Sequence, residues 1–228
     1  MSLQQLHDRL LAWATAEPRK ERLLAARRLH FEAYGEPHEE DRTYEARLNG
    51  MLDFYLYDFR PAAGGRTTLE EFLSSEGASL GPGERQAFED LAHNVHTLFQ
   101  VRRIADGALR MRDAFTGKDY DVVERRQLIG LEKGDVLEAR LLPNEGALVF
   151  SGAFLYHPRE ARKPILAEVK KRKKAAGKGG DPEVAGLLAL LSRMAFKLER
   201  YRNVRLESIY DFSPEAIRLT VPRGGSAA

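Results

Sequence analysis

The apolar positions open on a helical rhythm. Leu3, Leu6 and Leu10 recur three and four residues apart, as on one face of an amphipathic helix. Polar residues interrupt this first segment throughout, so it has neither the core of a signal peptide nor the length of a membrane span. Pro18 sits where a first helical turn tolerates it, and a second helix follows through Leu23, Leu24 and Phe31. Gly35 with Pro37 supplies its stop. A third helix through Tyr44, Leu48, Met51, Leu52 and Tyr55 runs into the aromatic cluster DFYLYDF. Thr67 and Glu70 make a capping box for the short helix LEEFL. Pro82 opens another helix, whose stripe of Phe88, Leu91, Val95 and Leu98 predicts an end near Phe99.

From about residue 100 the period changes to two. Leu109 and Met111 alternate with Arg110 and Arg112, and Tyr120 and Val122 with Asp119 and Asp121. FTGK, LEKGD and NEG are turn signals between these and two further strands, in which Leu137, Ala139 and Leu141 face one way and ALVFSGAFLYHP follows. Five short, closely connected strands predict a small antiparallel β-barrel or bent sheet. Asp181 and Pro182 then open a helix with a seam of Leu187, Leu191, Met194, Leu198 and Tyr201. VRLESIYDF and AIRLTVP, with Ser213-Pro214 between them, are expected as a terminal β-hairpin, and GGSAA as a frayed end. The fold class is therefore α+β, in four parts: a helical region 1–99, a β module 100–158, a basic linker 159–181, and a helix with terminal hairpin 182–228. There is no internal repeat.

An apolar fraction of 43% is ample for a buried core. The absence of cysteine excludes disulfides, thiolate catalysis and cysteine-held zinc or iron–sulfur clusters, and fits a cytoplasmic location. The net charge of +2 is unevenly spread, because residues 159–178 hold nine basic against two acidic side chains. Within that stretch, Lys170, Lys171, Arg172, Lys173 and Lys174 are a candidate polyanion handle whose contacts would release counterions. No Phe, Tyr or Trp lies nearby to stack on bases, so such contact would be blind to sequence. The plainer alternative is a solvated helix end followed by the glycine linker KKAAGKGGD. On the barrel, Arg110, Arg112, Asp119, Asp121, Glu138 and Arg140 are expected as ion pairs on a wet outer surface rather than as a nucleic-acid face.

Gly64, Gly65, Arg66, Thr67 and Thr68 form a second candidate, since glycines leading into a helix start can present amides to an anion or small ligand. The segment matches neither the phosphate-binding loop nor the dinucleotide fingerprint. His93 and His96, with Glu89, would share a helix, but no partner helix offers a matching Glu-x-x-His set, so no metal and no cofactor are expected. No catalytic constellation is present. The DFYLYDF aromatics read as core at a helix end, with a ligand slot as the alternative.

The successive segments LYDFRP, GGRTTLEEFL, ERQAFEDLA, LRMRDAFTGKDYDVVER, LEKGDVLEARLLP and VFSG resemble an uncharacterised region of some bacterial proteins that also carry a SEC-C type zinc-binding tail. The resemblance spans about residues 50–157 and implies a helical element leading into a small β module. Without cysteine, the chain does not share the zinc tail. The expectation is thus a non-enzymatic cytoplasmic bacterial protein acting as an adaptor or regulatory module for an unknown protein partner, with no membrane role. Sequence-independent nucleic-acid association through the lysine run is the alternative, and anion or small-ligand binding at residues 64–68 the second.

Overall fold

The computed structural model describes residues 2–105, 107–124, 130–201 and 203–220. Its N-terminal part comprises α1 (Leu3–Ala14), α2 (Lys20–Tyr34), α3 (Tyr44–Asp53), α4 (Thr68–Glu76) and α5 (Pro82–Leu91). Ser2 caps α1 in a capping box with Gln5, as Thr67 caps α4 with Glu70. The aromatic run beyond α3 is not an ordinary helix end. Phe54–Asp58 forms a π-helical turn, closed by the bond from Phe59 N to Phe54 O at 2.8 Å.

The β module contains β1 (Val95–Ala105), β2 (Ala108–Asp113), β3 (Asp119–Val123), β4 (Val136–Asn144) and β5 (Ala147–Tyr156). They close into a barrel in the order β1-β2-β3-β5-β4. All pairings are antiparallel except β3 with β5, which meet in parallel at Val122 and Leu148. A three-strand meander with β4 returning beside β1 is a Greek key. Phe99, Val101, Leu109, Met111, Val122, Leu137, Ala139, Leu141 and Phe150 fill the interior. The alternation in β2, β3 and β4 therefore sorts inside from outside as expected.

The helix predicted to end near Phe99 stops at Leu91 instead. Ala92 N bonds back to Glu89 O, and Asn94 Nδ2 donates to Leu91 O at 2.9 Å, which closes the helix. Val95 already belongs to β1, whose residues Thr97, Leu98 and Phe99 are all buried. Phe99 faces the barrel interior, whereas Leu98 faces the C-terminal helices. Burial on both faces erases the period of two and leaves spacings that also fit a helix.

Residues 159–181, expected as a linker, are mainly helix. A 3₁₀ turn, Arg159–Ala161, leads into α6 (Arg162–Ala176), which buries Ile165, Glu168 and Val169. The glycine-rich stretch begins only beyond it, at Gly177. Helix α7 (Val184–Arg200) buries Leu187, Leu191 and Met194, so the seam is core, and only its last member, Tyr201, is largely exposed. The expected terminal hairpin is replaced by two short helices, α8 (Leu206–Ile209) and α9 (Pro214–Thr220). The Ser213 hydroxyl accepts from Ala216 N and Pro214 stands at the helix start, the chemistry of a helix N-terminus rather than of a strand turn. Ile217 and Thr220, three residues apart, then face the protein. Val221, Pro222 and GGSAA lie outside the described residues.

Among the described residues three apolar cores result. One joins α1, α4, α5 and the π-helical turn, one fills the barrel, and one lies under α6, α7 and α8 against the barrel wall.

Candidate functional site

Where the three cores meet, the interface is charged. Glu138 and Arg140 alternate with the inward residues of β4 and so point out of the barrel, but they do not lie on a wet surface as expected. Helices α2, α3 and α7 cover them, and Arg140 is only 2% exposed. Its guanidinium grips Asp58 through both terminal nitrogens and also donates to Asn94 Oδ1. Asp53 Oδ2 lies 3.8 Å from Arg140 Nε, beyond hydrogen-bond reach. The π-helical turn explains how one arginine meets both acids. Its widened i→i+5 bonding brings residues five apart to one side, where a regular α-helix would splay them.

Beside this pair, His96 Nε2 lies 3.0 Å from Glu138 Oε1. Arg47 of α3 donates to Ser192 of α7, to its hydroxyl at 2.5 Å and its carbonyl at 3.2 Å, and lies 3.3 Å over the Phe196 ring. Burial pulls the Arg47 pKa down to about 10. The Ser192 hydroxyl in turn donates to Tyr34 O, so α2, α3 and α7 are tied together behind the site. His30 stacks on Tyr34 at 4.5 Å, and burial pushes its pKa down to about 3, leaving a neutral ring. Burial also raises the Asp53 carboxyl above its ordinary value.

Two backbone features shape the space. Ala139 pairs with Phe154 and Leu141 with Phe150, so Ser151, Gly152 and Ala153 together oppose Arg140 in a bulge that bends β5 away from the ladder. Gly152 has φ +103°, which an L side chain rarely adopts. At the end of α2, Gly35 has φ +92°, and a Cβ there would stand 3.0 Å from the Phe196 ring.

The result is a slot of about 50 Å³. Its mouth is apolar, with Phe31, Ala46, Phe154 and Leu155, and its floor holds His30, Asp53, Glu138 and Arg140. Each of these four floor residues has a buried polar atom without a hydrogen-bond partner: His30 Nδ1, Asp53 Oδ2, Glu138 Oε2 and Arg140 Nε. Buried polar atoms are nearly always satisfied, and four of the seven unpartnered side-chain atoms among the described residues line this slot, whose volume admits a few waters or a small polar group. Asp53 also lines a second, open cleft of about 720 Å³ between α1, α3 and the β4–β5 hairpin, with His7, Asn49 and Ser151.

The residues singled out by sequence lie elsewhere. Around Gly64–Thr68, the chain supplies its own anion, because the Glu70 carboxylate accepts from Thr67 N at 2.7 Å and is held by Arg60. Arg66 donates to Ser74, and Thr68 to the Tyr55 carbonyl. The lysine run does not form one surface. Arg172 turns inward to Glu168 at 3.0 Å, and Lys171 pairs with the same carboxylate, while Lys170, Lys173 and Lys174 are exposed. Glu89, His93 and His96 do not share a helix. Glu89 pairs with Arg85 on α5, and His96 belongs to β1. Among the described residues no group of three or more acidic or histidine side chains is placed to hold a metal ion. Outside the barrel, Arg112 pairs with Asp119 at 2.7 Å and Arg110 lies 3.5 Å from it, as expected, and Tyr120 turns inward against Phe99.

A five-stranded Greek-key barrel is an architecture that serves oligonucleotide and oligosaccharide binding through its second and third strands. Here the outer face of those strands carries paired charges and no aromatic platform. Comparison with known proteins gives a family instead of a function. The model of a family of unknown function, DUF7986, matches residues 2–186. The chain belongs to that family. The matched region includes all four floor residues, whereas Ser192 and Phe196 of α7 lie beyond it. No curated protein and no solved structure matches the chain.

Proposed function

We propose that this protein binds a small molecule in the slot between α2, α3 and the barrel wall, with the barrel as a rigid scaffold. The observation that carries the reading is the convergence of four unpartnered buried polar atoms on one slot with an apolar mouth. A lined apolar entrance with a few convergent polar groups of shifted pKa is the usual anatomy of a ligand site. The surfaces that suggested a protein partner do not compete with it. Tyr55, Leu56 and Tyr57 of the aromatic cluster and Leu187, Leu191 and Met194 of the seam are buried in the protein's own cores.

The test is a small-molecule screen read on the protein by methyl NMR. Ligands are expected to shift the Ala46, Ala153 and Leu155 methyl signals together, leaving Ala14 in the N-terminal core unmoved. A screen whose hits all map away from these methyls overturns the proposal.

A second reading rests on α6. Lys163, Lys170, Lys173 and Lys174 are exposed and unpaired among the described residues, and the helix holds them in fixed positions, so weak contact with a polyanion backbone is physically available. Fluorescence anisotropy of duplex and single-stranded nucleic acid across a salt series tests it. Steep salt dependence that collapses on neutralising these lysines supports it, and absence of binding at low salt removes it.

A further inference from the structure

The orphaned atoms on the floor of the slot are not a neutral set. Two are carboxylate oxygens, Asp53 Oδ2 and Glu138 Oε2, and one is a cationic donor, Arg140 Nε. The fourth, His30 Nδ1, belongs to a ring that burial keeps neutral. Arg140 has spent its terminal nitrogens on Asp58 and Asn94, and Arg47 donates from Nε to Thr43 and from both terminal nitrogens to Ser192. Arg140 Nε faces Asp53 Oδ2 at 3.8 Å, beyond hydrogen-bond reach, and Glu138 Oε2 has no donor at all. The carboxylates, guanidinium groups and imidazoles that line the slot are Asp53 and Glu138 from α3 and β4, Arg47 and Arg140 from the same two elements, and His30 and His96 from α2 and β1, the last 3.0 Å from Glu138 Oε1. What the floor lacks is hydrogen-bond donors for two carboxylate oxygens, Asp53 Oδ2 and Glu138 Oε2.

We propose that the slot takes an organic cation, a primary ammonium or guanidinium group on an apolar body, with the charged end seated between Asp53 and Glu138. The inference rests on the ligand-binding reading above and adds the chemical class. An ammonium has three donors and a guanidinium five, which suffices for both orphaned carboxylate oxygens. Such charge-assisted bonds are the strong ones in a buried site. The slot of about 50 Å³ has room for only a few non-hydrogen atoms, so the charged group enters and the body of the ligand lies along Phe31, Phe154 and Leu155. Those side chains offer hydrocarbon and no competing charge. A carboxylate-bearing ligand would meet two like charges at the floor, and a neutral alcohol brings a single donor for two orphaned oxygens.

The experiment uses four matched probes on the full chain: butylammonium, butylguanidinium, butan-1-ol and butyrate. Binding is followed at the Ala46 and Ala153 methyl signals. The expected result is saturation by the two cations with affinities at least tenfold above that of butan-1-ol, and no saturation by butyrate. Asp53→Asn and Glu138→Gln are each expected to lose about tenfold of the cation affinity, with signals of the barrel interior showing that the variants are folded. If butan-1-ol or butyrate saturates these methyls as well as the cations do, the charge assignment falls and ligand binding stands. If no probe moves them, while the screen described above also finds no ligand there, both fall. Unchanged cation affinity in both folded variants also overturns the assignment. Should either variant fail to fold, the selectivity of the native chain among the four probes decides the matter alone.

Discussion

Strand β4 has two buried faces that obey different rules. Leu137, Ala139 and Leu141 point into the barrel and meet only hydrocarbon, whereas Glu138 and Arg140 point outward into the seam with α2, α3 and α7 and meet His96, Asp53, Asp58 and Asn94. Among the described residues the interior leaves no buried side-chain polar atom without a partner, and the seam leaves four. Apolar packing alone could have closed that seam at less cost, because replacing a buried ion-pair network with well-packed hydrocarbon is often neutral or stabilising. The difference teaches where this molecule invests in stability and where it keeps chemistry.

The contrast can be broken from either side. On the barrel side, Phe99→Ala is expected to cost about 3–5 kcal/mol, the range for emptying a fully packed aromatic site, in urea unfolding. A loss below about 1 kcal/mol would mean that the barrel interior is not the tight core described. On the seam side, acid is the next largest lever. His30 in the seam, and His157 just beyond β5 with its Nδ1 3.2 Å from Tyr210 OH, both have folded values near 3 through burial, below the unfolded value of about 6.5. The unfolded chain therefore binds more protons between those values, and stability falls as pH drops through that window, by up to about 1.4 kcal/mol per pH unit for each histidine. Urea midpoints at pH 7 and pH 5 check this, and equal midpoints would contradict it.

Arg140→Lys keeps the charge but loses the planar fork that holds Asp58 and Asn94 together, and should cost about 1–3 kcal/mol. A cost near zero would show that charge alone suffices there. Last, Lys170→Gln with Lys174→Gln should change stability by no more than about 0.5 kcal/mol, as for exposed residues without partners. A larger loss would mean that the outer face of α6 packs against something in the folded chain.

The inner face of this contrast was legible in the sequence and the outer face was not. Alternation in β2, β3 and β4 names Leu109, Met111, Leu137, Ala139 and Leu141 as interior, because one side of each strand is charged. The same alternation places Glu138 and Arg140 outside, and nothing in a period of two tells whether the outside is water or a helix. Asp53 and Asp58 were hidden for another reason. Their spacing of five fits no regular helix face, and only the π-helical turn brings them together. His30 sits in a polar stretch, RRLHFE, that gives no sign of burial. The signals that could have found the site were the glycine in the middle of a strand, Gly152, which marks a bulge, and the acids flanking an aromatic run. At the C-terminus, SIYDF and AIRLT carry β-branched and aromatic residues that mimic strands, but Pro214 and the Ser213 cap decide for helix.

Asp53→Asn offers the most direct test of the claim that the seam's charges are kept for binding rather than for stability. Burial holds the Asp53 carboxyl above its unfolded value, so the native state binds more protons in that window and loses stability as pH rises through it. At pH 7, the side that already carries this penalty, a neutral amide of the same shape should remove part of it. The account predicts that the variant is as stable as the native chain, or more stable, in urea unfolding at pH 7, while cation binding at the slot is weakened. A loss of more than about 1 kcal/mol would identify Asp53 as a structural anchor for Arg140 and contradict it.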